Sequence, residues 1–593
     1  MEAEYSMVDS VDPQRENYSQ KEARSGQRDR DTPSLPASTT RCMIMIPELR
    51  WKIFRLVHDF SPGHKTFLAL ALTCKSFTEP ALDLLWENLN DGLAPLIRCL
   101  PQSLWKKAER KLEFQRAMTF DDWSIFCKYN HRVRSLHTRP YAAIRLDIEI
   151  WRTLSCPPFS LPLLPNLMSL TWNETTSETF LYASLFATPK LTTFRITSST
   201  ITFGPSEQSV LSCISMLCPS VSHCSFHSFG ESSLGDTSTA LQSWSHLKSV
   251  RTRRISEAAI LHLSTLPSLR VLQFKLPLMP ISANTQKLLQ RPVFCALQEL
   301  DITCEGSPAL LGTFFEKLSI APKVITCDIT RGVDSTPALP ALISRLSDTC
   351  ARSSLEQVQF NIIDLLADHN TSFGAAAFRP LFTFRNLRKL QFNACCNVQL
   401  NDTILLQMAK AWPLLEDLYF NAYHNLSHNV TPHAFVSLLQ HCPRLVSVAV
   451  FINWSTIDGR DIPPAIPYQG FPHNALSTAF FGSPRIRHPT RIAAFISAIA
   501  PNVESTAAWD PDFYGEHPDF EKYSTRWKLV QRLIKSFSMV RQQERGTKLN
   551  TCTGADEVEV GGDVDGGGEG EEEDSGSEGG YHSDQASSNS GEE

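Results

Sequence analysis

An α/β solenoid of stacked strand–helix repeats is the fold class this sequence predicts, with a small helical module before it and polar segments at both ends. The first observation is a short phrase, an apolar anchor followed by apolar residues three and five positions later, found thirteen times. Clear copies are Pro165-Asn-Leu167-Met-Ser-Leu170-Thr-Trp172, Pro267-Ser-Leu269-Arg-Val-Leu272-Gln-Phe274, Phe384-Arg-Asn-Leu387-Arg-Lys-Leu390-Gln-Phe392 and Pro413-Leu-Leu415-Glu-Asp-Leu418-Tyr-Phe420. The second is the period: anchors at 167, 191, 221, 247, 269, 297, 324, 355, 387, 415, 445, 476 and 503 lie 22 to 32 residues apart. Self-similarity at that period marks units that bury their apolar faces only against their neighbours. The third is what lies between anchors, a polar stretch and then a helical run, closed in several copies by a Pro before the next anchor.

Each element follows from local pattern. Residues 1–42 are polar, carry both signs of charge and include Pro33 and Pro36, so they cannot bury enough apolar surface to offset ordering and are expected to be disordered. Residues 43–88 read as three short helices. Pro47 suits a helix start, Leu49, Ile53, Leu56 and Val57 recur at helical spacing, Leu68, Leu72 and Phe77 form a second stripe, and Pro80 opens a further helix through Trp86. Residues 89–130 are expected to be a helical linker, with a helix over 95–104. From 131 to 540 the repeats give strands in which two apolar side chains, two apart, face one way. The stacked strands should be parallel and line the concave side of a horseshoe, with helices outside. Val133-Arg-Ser-Leu136 is a truncated first copy, and the charged helix 523–537 caps the last. Residues 546–593 are an acidic, Gly- and Ser-rich tail expected to be disordered.

Composition narrows the function classes. The chain has 593 residues and 16 Cys without a Cys-x-x-Cys pair, so it builds its core without staples and fits a reducing cytoplasm or nucleus. No window approaches ~18 uncharged apolar residues, and residues 1–40 hold no signal-type apolar run, so neither membrane insertion nor secretion is expected. The net charge of −6 hides 14 acidic residues between Thr551 and Glu593, where Lys and Arg are absent, and leaves the rest at about +8. No dense basic stripe accompanies that surplus, so nucleic acid is not the expected partner.

Chemistry-bearing motifs are few. Cys213, Cys218, His223, Cys224 and His227 lie close together but match no zinc spacing, and the repeat register gives Cys224 an inward strand position. His441 and Cys442 sit at a helix end before Pro443. No nucleophile elbow, phosphate loop or dinucleotide fingerprint occurs, so no catalytic residue, cofactor or metal site is assigned. Between the apolar strand positions, alternation directs side chains to the open face. These are Arg251 and Arg253, Gln273 and Lys275, Asp301 and Thr303, Gln359 and Asn361, Gln391 and Asn393, and Tyr419 and Asn421. Arg251, Arg253, Gln391, Asn393, Tyr419 and Asn421 are the candidate contacts for a protein target, because Arg and Tyr anchor interfaces.

Ile46-Pro47-Glu48-Leu49, Ile53-Phe54, Leu68 to Leu72, Cys74-Lys-Ser-Phe77 and Leu85-Trp86 together resemble an F-box, the three-helix module that docks on the Skp-type adaptor of cullin–RING ubiquitin ligases. The array behind it resembles the leucine-rich repeats that follow the F-box in many such proteins, above all in fungal members with irregular repeats. The likeness covers about residues 43–540. It implies an adaptor-facing ridge of Ile46, Pro47, Leu49, Ile53 and Phe54, supported or extended by Leu68, Leu72, Phe77 and Trp86. It also implies a non-catalytic subunit that joins the adaptor, and through it the cullin–RING scaffold, to an unidentified target. The sequence departs from the family in the basic Arg50-Trp51-Lys52, in Phe77 where Trp is common, and in the long insert 61–65. The repeats depart too, since only Leu390 to Cys395 keeps the expected Asn or Cys five residues after the second apolar position. The residues alone also fit a plain helical cap whose core is Leu49, Ile53, Leu72 and Phe77. A repeat scaffold without a ligase link, or an RNA-binding solenoid, stays open beside the ligase reading.

Overall fold

The computed structural model describes residues 46–552, apart from 61–63, 140–143, 174–176, 198–203, 227–233, 331–337, 364–371, 395–396, 421–428 and 460–466. Residues 1–42, most of the acidic tail, His227, Cys395 and Asn421 lie outside the described residues. The chain divides into two compact units, Met1–Ala367 and Asp368–Glu593. Both are leucine-rich-repeat-like solenoids.

The first unit opens with helices α1 (Pro47–Phe60), α2 (His64–Thr73) and α3 (Lys75–Glu87). Their core is Phe54, Phe67, Ala71, Ala81 and Leu84, with Val57, Leu70, Phe77, Leu82 and Leu85 packed around it. The Phe54 and Phe77 rings meet edge to face at 5.2 Å, and Arg55 pairs with Glu87 at 2.6 Å to tie α1 to α3. Pro80 does not open a new helix; it lies inside α3, where its ring removes one backbone donor and the packed turns on either side carry the helix through.

Ten parallel strands of the main sheet follow in this unit, from Asn88–Leu89 and Ser135–His137 through Ser249–Arg254, Val271–Lys275, Glu299–Glu305 and Val324–Thr330 to Gln357–Ile363. The inward row pairs Leu136, Leu170, Phe194, Cys224, Val250, Leu272, Leu300, Ile325 and Val358 across neighbouring strands. All are buried, so one register runs through the unit. Helices such as Pro205–Leu217, Glu257–Thr265 and Leu339–Thr349 cover that face, each starting at a capped or Pro-marked turn.

Three expectations change. The seventh anchor position is Pro322 rather than Val324: Lys323 N donates to Gln298 O, in the same ladder that joins Gln298 to Arg270 and Glu356 to Lys323. The anchor moves by two residues, which leaves the alternation unchanged: Ile325, Cys327 and Ile329 are buried, while Thr326 and Asp328 stand on the other face. The segment 89–130, expected to be a helical linker, already belongs to the sheet through Leu89. It continues as a five-residue helix, Ala94–Arg98, then an antiparallel hairpin, Trp105–Ala108 with Lys111–Phe114, and then the helix Phe120–Asn130. The strand Ser249–Arg254 carries a bulge, so Arg254 rather than Arg253 stands opposite Lys275.

The second unit repeats the scheme with strands Lys389–Ala394, Asp417–Phe420, Ser447–Ala449, Thr478–Phe480 and Ser505–Ala507, whose inward row is Leu390, Leu418, Val448, Ala479 and Thr506. Its capping helix, Phe520–Cys552, is longer than the expected 523–537 and passes Gly546, where the tail was to begin. Trp527 of this helix packs on Trp454 and Phe481 and donates to Pro484 O at 3.0 Å. Gln531 accepts from the Thr506 backbone and hydroxyl and donates to Glu504 O, closing the edge of the last strand. Among the described residues no helix is long and apolar enough to cross a membrane.

Candidate interaction surfaces

On α1 two apolar stripes lie side by side, because residues three and four apart share a helical face. One, with Phe54 and Val57, enters the module's core. The other, Ile46, Leu49, Ile53 and Leu56, faces solvent. On α2, Leu68 and Leu72 are likewise exposed one turn apart, Leu72 to 79%, while Phe67 and Ala71 fill the core. Six aliphatic side chains thus stand out of a module whose core is complete without them, and Trp51 is a further exposed apolar residue on α1. Pro47 is exposed at the start of the ridge.

Phe54, assigned to the ridge, and Phe77 and Trp86, assigned to its support or extension, are not exposed with it. Phe54 is 4% exposed and belongs to the core, and Phe77 is half-buried against it. Trp86 is buried and packs against the Tyr129 ring at 5.0 Å, the planes tilted by 35°, so it joins α3 to the helix Phe120–Asn130. Leu56 was not among the assigned contacts, although its spacing from Leu49 and Ile53 is a sequence signal. Leu49, Ile53 and Leu72 are not the core of a plain cap, since all three are exposed.

The open strand face of the first unit is polar. One lateral row runs Arg195, Ser225, Arg251, Gln273, Asp301, Thr326 and Gln359, each paired in register with the next. Arg195 and Arg251 are exposed and form no ion pair among the described residues. Further along the strands, Glu305 pairs with both Arg254 and Lys275. Asn361 donates to Asp328 at 2.7 Å. Asp301 has no such partner: its Oδ1 is buried without a hydrogen bond. Burial and the neighbouring Asp328 push the Asp301 carboxyl up to about 6, against the opposing pull of Arg251. A cavity of about 100 Å³ opens beside it, lined by Arg251, Gln273, Glu299, Val324 and Thr326 among others. Arg253 is exposed at the bulge.

The second unit's open face differs. Gln391 reaches Asp417 at 3.4 Å, and Asn393 is half-buried on the same strand. Tyr419 is also half-buried and packs with Phe480 on Ala449 and Phe451, so it is part of an apolar cluster rather than a free anchor. Cys224 occupies its inward strand position, where burial raises the thiol far above its ordinary range, while His223 beside it faces solvent.

No protein-family model matches the chain, and no curated protein matches it. Solved structures of similar fold include an internalin from Listeria monocytogenes, at 14% identity and TM-score 0.34, over 64% of this chain and 88% of the internalin. The Rad7 and Elc1 complex from yeast matches at 15% identity and TM-score 0.30, over 68% of this chain and 96% of that one. The leucine-rich-repeat ectodomain of the Arabidopsis thaliana receptor kinase GASSHO1/SCHENGEN3 matches at 13% identity and TM-score 0.29, over 66% and 49%. The fold assignment rests on the strand register described above.

Proposed function

We propose that this chain is the target-recognition subunit of a cullin–RING ubiquitin ligase. Helices α1–α3 dock on a Skp-type adaptor and the repeats hold the protein to be modified. The observation that supports this reading most is the exposed ridge of Ile46, Leu49, Ile53, Leu56, Leu68 and Leu72 on a module already packed around Phe54 and Phe67. Contiguous apolar side chains left in water by a folded module mark a protein-binding face. A cap made only to close the array would turn those residues inward and present a polar outer surface.

The chain's contribution to the reaction is proximity. Ubiquitin transfer is chemistry of other subunits, and holding the target near the charged enzyme raises its effective concentration. No covalent step is assigned to a residue of this chain. Co-purification tests the reading. The intact chain retains the Skp-type adaptor, the Pro47→Ala, Leu49→Ala variant loses it, and removal of residues 43–88 abolishes function. Failure of the intact chain to capture any such adaptor overturns the proposal, and function retained without residues 43–88 favours a scaffold with no ligase link.

A further inference from the structure

The charges on the first unit's open strand face are sorted. Across the row, Arg195 and Arg251 stand two strands apart, and Asp301 stands two strands beyond Arg251. At ~4.8 Å per strand, Arg251 is about 10 Å from Asp301 and Arg195 about 19 Å. On the cationic side, His137 and His223 lie near Arg195, and burial with the surrounding cations lowers both imidazoles, leaving the arginines as the fixed charges. On the anionic side, Glu299 lines the cavity and Asp328 neighbours Asp301.

Which charges are already satisfied decides what the face can still bind. Glu305 is held by Arg254 and Lys275, and Asp328 accepts from Asn361. Arg195 and Arg251 form no ion pair among the described residues, Arg251 acting on Asp301 only through its charge across the cavity, and the Asp301 Oδ1 is buried with no donor. A buried carboxylate oxygen without a donor is costly, and the cavity next to it has room for an ammonium or guanidinium head.

We infer that this face binds an extended protein segment carrying an acidic residue and a basic residue three to six positions apart, the acid on Arg195 and Arg251 and the base beside Asp301. The spacing follows from ~3.3 Å per extended residue against the ~10 and ~19 Å separations. Segments of a single sign meet repulsion from one half of the row, and so does a nucleic-acid strand, whose phosphates face Glu299, Asp301 and Asp328. This deepens the target-recognition reading and rests on it.

Fluorescence anisotropy with the full chain at physiological salt tests the inference. The probes are labelled peptides of a dozen residues: one with paired aspartates and paired lysines separated by four neutral residues, one with the same composition in alternating order, one all acidic and one all basic. The separated peptide is expected to bind about tenfold tighter than each of the others. The Arg195→Ala, Arg251→Ala double variant and the isosteric Asp301→Asn are each expected to remove about that factor. Melting temperatures no lower than that of the native chain show that these variants are folded. Equal binding of all four peptides, tighter binding of the all-acidic peptide or of an oligouridine, or indifference to Asp301→Asn overturns it. Adaptor capture by the same preparation separates this outcome from the ligase reading, since capture without peptide preference removes only the inference drawn here.

Discussion

Replacing Ile53 and Leu72 together by Asp separates a docking ridge from a structural core. The two side chains are 45% and 79% exposed, so the folded chain already leaves most of their surface in water. Surface changes of this kind usually stay within ~0.5 kcal/mol in stability. Phe54, 4% exposed among Phe67, Ala71 and Leu84, is the contrasting site, and truncation to Ala there costs ~3–5 kcal/mol. In the complex the order reverses. The exposed parts of Ile53 and Leu72 amount to about one whole aliphatic side chain, worth ~2–3 kcal/mol on burial, and each new carboxylate adds a desolvation cost. Adaptor affinity should therefore fall at least ~30-fold at an almost unchanged melting temperature. Calorimetric titration of the purified adaptor and thermal denaturation followed by circular dichroism give both readings. A melting point lowered as far as that of Phe54→Ala, or an unchanged adaptor affinity, refutes the reasoning.

Three further outcomes follow from particular sites. The raised Asp301 carboxyl means that the folded state holds this proton more tightly than the unfolded chain, so its contribution to stability falls as pH rises from about 4 to about 6. A dry site would give ~3 kcal/mol, partial exposure halves it, and Asp301→Asn should gain ~1–1.5 kcal/mol over the native chain between pH 4 and pH 7.5 in urea titrations. Gly482 has φ +74°, and a Cβ there would overlap the Phe451 ring, so Gly482→Ala should cost ~1–3 kcal/mol in the second unit, read from its melting transition. Cys74 is exposed, and its hydrogen bond with Ser76 lowers the thiol, whereas burial pushes Cys350 and Cys442 up to about 12. Alkylation of the native chain at mild alkaline pH, read by peptide mass, should label Cys74 well before those two.

The repeat phrase was enough to read the inward row, because an alternating strand admits only one buried face. At the strand Val324–Thr330 the pattern gave the buried face but not its register along the strand, because Val324 and Pro322 both fit the anchor; the pairing of Ile325 with Leu300 and Val358 sets it. The bulge that puts Arg254 opposite Lys275 leaves no mark in the sequence, so the ion pairs at Glu305 could not be foreseen. The hairpin 105–114 was hidden because its turn lacks the usual Asn-Gly pair: Glu109 takes the left-handed conformation at φ +52°. On α1, helical spacing gave both apolar stripes but not which one is buried. That choice is made by Phe67, Ala71 and Ala81, residues remote in sequence that complete one side only.

The same packing bears on how the two surfaces of the first unit could cooperate. A ligase subunit gains from a fixed offset between adaptor and target, because a wandering target lowers the effective concentration at the transfer site. On the proposed reading, the segment after α3 supplies such an offset. The first strand begins at Asn88, immediately after the last helical residue, and pairs directly with Ser135–Leu136. Arg132, whose side chain is 9% exposed, reaches back from the repeats to Glu79 at 2.5 Å and to Asp83, and Trp86 packs against Tyr129. These contacts join three residues of α3, Glu79, Asp83 and Trp86, to Tyr129 and Arg132, and Leu89 and Leu136 of the paired strands are buried. Rotating the module against the strands would separate the Glu79 and Asp83 carboxylates from the Arg132 guanidinium and expose the Trp86 indole, so these contacts oppose such a rotation.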